Sequence, residues 1–206
     1  MSGDDPIAAA LLSNSTYERL RQERFGWFKQ PLTRKITLQG YLLHVLAGVL
    51  PVLALLPREL RALYFGSSVA DAAPKVGVVA LIAVGVVGAA GVGLAAVAYL
   101  RIRHGDEFDE HTAHSVLNFE DLCSMAGLAT GGVATVATYS FVLLGFGGVD
   151  AVRAWMALGG GNPFAASSLP LNVGTVAVTA LVVGVWFHVM SAYLHVRGMV
   201  DEGIAL

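Results

Sequence analysis

The sequence predicts an all-α integral membrane bundle of four transmembrane helices, with an amino-terminal interfacial amphipathic helix. Three observations predict it. Of 206 residues, 55% are hydrophobic and only 14% are charged, against about 25% charged in a soluble domain. Mean hydropathy is +0.65. Four separate stretches are long and apolar enough to cross a bilayer, which takes about 20 residues at about 1.5 Å each.

These stretches are 38–56, 76–100, 122–146 and 173–194. Each is expected to be helical, because lipid offers backbone N–H and C=O groups no partner. The first is closed by Pro57 and carries Pro51, which predicts a kink. The second has no charged residue inside it. The chain divides into an amino-terminal segment (1–37), a four-span domain (38–200) and a short tail (201–206).

Lys and Arg give the orientation. Nine of the 13 fall in the amino-terminal segment, in the loop after the second span and at Arg197 after the fourth, against four in the other two loops. Both termini are therefore expected in the cytoplasm, with the chain in the plasma membrane. No secretory signal is expected, since Ile7–Leu12 is short and follows Asp4 and Asp5.

Before the first span, Ser15 and Glu18 have capping-box spacing. Arginines then mix with Leu20, Phe25, Trp27 and Phe28 up to Pro31. Basic and aromatic residues together suit the headgroup region and predict a helix lying on the surface. Between the third and fourth spans, residues 147–172 form a long Gly-rich loop. Its stretch Val149–Leu158 can lie along the membrane, and Gly159 to Pro163 break it.

Helices in lipid meet through small residues. Gly85, Ala89 and Gly93 form one four-residue stripe, and Gly127 and Gly131, continued by Thr135, form another. The stripes predict contact between spans two and three, or with another subunit.

Composition narrows the function classes. A net charge of −2 argues against nucleic-acid binding. The single cysteine, Cys123, excludes an intrachain disulfide and a Cys-based zinc site and reads as a packing residue. No paired nucleophile and base, phosphate loop or HExxH is present, so no catalytic residue is assigned and the chain is read as non-enzymatic.

Candidate functional residues are the polar ones at or inside the spans. From Asp109 the chain reads as a capped helix start running into the third span, with carboxylates at the positive dipole end. Glu110 and His114 have the spacing of a one-turn pair. His111 and His114 with these carboxylates match no metal motif, so no metal is assigned. Asn118, Glu120 and Asp121 lie at the membrane boundary, where facing lipid is expensive, and are expected to point into the bundle or toward water. His44 and His188 are each six residues inside a cytoplasmic end and share one depth. Three roles fit the pair: hydrogen bonds between helices, a proton or substrate pathway, and ligation of haem b. His195 reads as a boundary residue.

The run Asp106–Glu120 resembles a family of small bacterial and archaeal membrane proteins of unknown function, related to the chloroplast inner-envelope translocon channel-like subunit. That family opens its third span with an acidic turn and a segment like His-Ala-Lys-Glu-Ala-Leu-Asn-Phe-Gln. Ala113, Leu117, Asn118 and Phe119 match it, while Thr112, His114 and Glu120 replace its His, Lys and Gln. The first span, with His44 ahead of small residues and Pro51, is also similar. The basic amino-terminal segment and the Gly-rich loop depart from the family pattern. The resemblance implies four spans and a boundary Asn-Phe motif, not polypeptide translocation.

Three functions are therefore expected in order: a subunit or scaffold of a membrane assembly, homo-oligomeric or with other membrane subunits; an oligomeric transporter or channel; and a haem-bearing electron carrier. The bilayer is the common partner.

Overall fold

The computed structural model describes residues 16–23, 30–104, 108–169 and 171–201. Among them the chain is helical: α1 (Thr16–Glu23), α2 (Leu32–Ala47), α3 (Val49–Ala54), α4 (Arg58–Tyr64), α5 (Lys75–His104), α6 (Glu110–Ser124), a π-helical turn (Met125–Thr130), α7 (Gly131–Phe146), α8 (Gly148–Ala157) and α9 (Val173–Asp201). Four continuous stretches, Leu32–Ala54, Lys75–His104, Glu110–Phe146 and Val173–Arg197, are long and apolar enough to cross a membrane. Ser15 of the expected capping box, and Phe25, Trp27 and Phe28, lie outside the described residues.

Two helices start earlier than their apolar stretches. The first begins at Leu32 rather than Leu38, and the third at Glu110 rather than Leu122. Asp109 caps the latter, accepting from the Thr112 amide at 3.1 Å. Hydrogen bonding to the Thr112 side chain, and then to its amide, holds the Asp109 carboxyl below the usual aspartate range. The expected pair of Glu110 and His114 does not form: both are exposed, and neither makes an ion pair among the described residues.

The first long stretch loosens at Gly48, between α2 and α3, one turn ahead of Pro51. Proline has no N–H to donate and its ring crowds the preceding turn, so the helix loosens there. The Tyr139 hydroxyl donates to the Val45 carbonyl at 2.5 Å beside the break.

Helix α5 touches α2, α6, the π-helical turn, α7 and α9. Its inward face is Ala80, Ala83, Val84, Val87, Ala90 and Leu94. Helices α2 and α9 run antiparallel and cross at Gly40 and Gly184. A Cβ on Gly40 would lie 2.5 Å from the His188 ring, and one on Gly184 would lie 2.8 Å from His44 Nδ1. Each would also meet the other glycine's carbonyl at 3.2 Å. Only glycine permits this approach.

At the opposite end the loops are stitched together. Backbone bonds run from Lys75 to Ala165, Val76 to Pro163, Ser167 to Ala73, Val173 to Ala72 and Gly174 to Ala70. Phe164 is wholly buried under them against Phe65 and Tyr64. The Gly-rich loop is thus fixed, with α8 at its start.

Gly40→Ala is expected to lower the thermal unfolding midpoint in detergent, since overpacking a tight contact costs about 1–3 kcal/mol. Gly85, with nothing within 4 Å of its would-be Cβ, should tolerate alanine or gain from it. Equal effects at the two positions would contradict the close crossing.

Candidate functional site: a buried ion pair and a histidine couple

Helix α2 buries the stripe Leu32, Lys35, Ile36, Gln39, Gly40, Leu43 and Leu46. Two of these are polar, and one carries a charge. The Lys35 ammonium lies 2.6 Å from Glu120 Oε1, with side-chain exposures of 2% and 3%. Tyr17 of α1 donates to Glu120 Oε2 at 2.5 Å. The Arg101 guanidinium sits over the Tyr17 ring, 4.5 Å from its centroid. A buried charge survives only if paired and hydrogen-bonded, and here both carboxylate oxygens are engaged. The pair ties α2 to α6, and Tyr17 ties α1 to α6.

Gln39 sits about 6 Å deeper, one turn on from Lys35. Its side chain fits between Gly91 and Gly127, both without a Cβ: one on Gly91 would lie 2.6 Å from Oε1, and one on Gly127 would strike Nε2. Neither amide atom has a hydrogen-bond partner among the described residues. Burying such a group unpaired is costly, so the position stands out. Gly127 belongs to the π-helical turn, a geometry frequent at functional sites.

The structure brings His44 and His188 together. Their rings meet edge to face, with centroids 5.0 Å apart and planes at 90°. Each Nδ1 contacts the carbonyl of the glycine one turn earlier, Gly40 at 2.7 Å and Gly184 at 2.8 Å. A carbonyl only accepts, so each Nδ1 donates. The two helices therefore present the same Gly-x-x-x-His unit to each other, related by a local twofold. Tyr41 adds an edge contact to His188, 4.8 Å between centroids. The haem expectation would need this geometry to change. A macrocycle held from both sides must lie between the rings, and these rings already touch.

The other expected residues separate. Glu120 faces inward, whereas Asn118, His111 and His114 are exposed and Asp121 is half-buried. Among the described residues no three His, Cys, Asp or Glu side chains converge as for a metal ion. Gly127 and Gly131 face α2 and α5, where added Cβ atoms would meet Gln39 and Val87. Gly93 faces Cys123 and Phe119. Gly85 and Ala89 instead face outward.

Sequence reasoning passed over Lys35, Tyr17 and Gln39. The signal was present for two of them, because Lys35 and Gln39 are one turn apart on the same stripe as Leu32, Ile36 and Leu43. Nothing local marks Tyr17.

No family model, no curated protein and no solved structure matches this chain. The site is therefore read from its own residues.

Replacing one partner, as in Glu120→Leu or Lys35→Met, should destabilise the bundle by roughly 3–5 kcal/mol, because it strands the other charge. The double variant should recover much of that loss. Unfolding in detergent, read as a double-mutant cycle, tests this, and additive losses would argue against a coupled pair.

Proposed function

We propose that the chain is a multi-pass membrane protein of the plasma membrane, with both termini cytoplasmic, and that it works as a non-enzymatic subunit of a homo-oligomeric assembly. The observation that carries the assembly is the outward face of α5. Ile82, Gly85, Ala89, Val92, Ala96 and Tyr99 are all exposed. Their spacing alternates three and four residues, as in a coiled-coil seam. Gly85, Ala89 and Ala96 are small among the larger Ile82, Val92 and Tyr99, so a second copy can seat its large side chains beside the small ones. The fourth span presents a different surface, with Val178, Leu181, Val182, Val185, Trp186 and Val189 exposed, which suits lipid chains.

The excess of Lys and Arg on the side of the termini supports the orientation. The resemblance of Asp106–Glu120 to the translocon-related family agrees with a four-span membrane protein and adds no activity.

Ala89→Cys is expected to form a disulfide-linked dimer on mild oxidation of native membranes. Val182→Cys should not, and the native Cys123 is buried. Crosslinking at Val182 and not at Ala89 would move the interface. Monomeric protein in mild detergent, without crosslinking at either position, would remove the proposal.

A second reading, passage of a proton or small cation through the oligomer, is favoured by Gln39. An unpartnered buried amide one turn below a buried ion pair is the arrangement of a polar path more than of a packed core. In proteoliposomes, Gln39→Leu should abolish flux and leave the fold intact or firmer. Equal flux in wild type, Gln39→Leu and Glu120→Gln would dismiss this reading.

A further inference from the structure

We propose that the groove between the start of α2 and the end of α9 binds a phosphate group, and that this phosphate is the headgroup of an anionic lipid. The groove is open, about 400 Å³ in volume, and lined by Thr33, Arg34, Thr37, His188, Ser191 and His195.

Its floor is already satisfied. Thr37 Oγ1 donates to the Thr33 carbonyl at 3.0 Å, Ser191 Oγ donates to the same carbonyl at 3.0 Å, and the two hydroxyls lie 2.7 Å apart. With one proton on each hydroxyl, two of these three contacts are hydrogen bonds at any one time, and both protons are used within the floor. Recognition of charge falls to the rim, where Arg34 and His195 are exposed on opposite helices. Neither makes an ion pair or hydrogen bond among the described residues. An arginine fork with nothing to bind, facing a second cationic or donor ring, matches phosphate chemistry. Helix α2 also starts here without a side-chain cap or an acidic residue in its first turn, which adds to the positive field.

The groove's continuation argues for a lipid over a free anion. Below Arg34 and Thr37, the same face of α2 presents Tyr41 and Val45, both exposed. Below His195 and His188, α9 presents Val185 and Leu181, also exposed. The contact of Tyr41 with His188 joins the two strips. A headgroup at the rim would therefore have an apolar track for its acyl chain. Basic pockets between spans at a membrane surface are the recognised setting for anionic headgroups.

The test is native mass spectrometry of the full chain released from mixed nanodiscs holding phosphatidylglycerol and phosphatidylcholine with identical acyl chains. Retained phosphatidylglycerol should exceed phosphatidylcholine. Arg34→Gln should reduce its retention about fivefold, the effect of one Lys or Arg at an anionic lipid surface, and His195→Gln should also reduce it. Arg58→Gln, at the start of α4 at the opposite end, should leave it unchanged, and unfolding midpoints report that all variants remain folded. A parallel titration with inorganic phosphate separates the sources. Displacement of the lipid only at high phosphate concentration supports a lipid site, whereas tight binding of phosphate alone, blocked by Arg34→Gln, would overturn the lipid assignment. Equal retention of the two lipids, or retention unaffected in both rim variants, would overturn the proposal as a whole.

Discussion

The ammonium of Lys35 is buried inside an otherwise apolar helix stripe, and its contact with Glu120 is what makes that burial tolerable. Much of one end follows from this contact. It fixes the rotation of α2, because turning the helix would swing the charge toward apolar surface. It fixes the start of α6, which must extend past the apolar stretch to place Glu120 beside α2. The second carboxylate oxygen needs a donor as well, and Tyr17 supplies it, so α1 is held against the bundle. Arg101 then covers the Tyr17 ring from the end of α5. One ion pair thus organises four helices.

Away from the pair, a second constraint is purely steric. The Gly40–Gly184 crossing lets α2 and α9 approach until each histidine packs against the other helix's glycine. The imidazoles bond back to their own helices, which satisfies one nitrogen each without a partner from elsewhere. These are polar side chains used as close-packing units. Their contact closes the first and last spans against each other, and the groove lined by Arg34 and His195 opens at the end of that seam.

Hydropathy made the four long helices legible, because a run of apolar residues needs no partner to be recognised. The ends were not legible in the same way. Lys35 interrupts the apolar pattern and moved the expected start of the first span to Leu38, yet its partner lies 85 positions along the chain. The equal depth of His44 and His188 could be read from residue counts. That their rings touch could not, since it depends on Gly40 and Gly184 facing one another. Likewise, spacing placed Gly85, Ala89 and Gly93 on one stripe, but packing divides them, with Gly93 against Cys123 and the other two outward. Gln39 was missed because a single amide in an apolar run looks incidental until its surroundings are known.

The stitched loops at the far end bear on how such a chain is made. Ala70, Ala72, Ala73, Lys75 and Val76 each find a backbone partner in 163–174, and Gly40 finds its cover in α9. A chain emerging from the ribosome with three spans complete would hold both sets of groups unsatisfied: the first loop without its partners, the first span with an open glycine notch. The fourth span resolves both at once. The last helix and the loop before it are thus what close the finished bundle, covering the notch at Gly40 and pairing the backbone of the first loop.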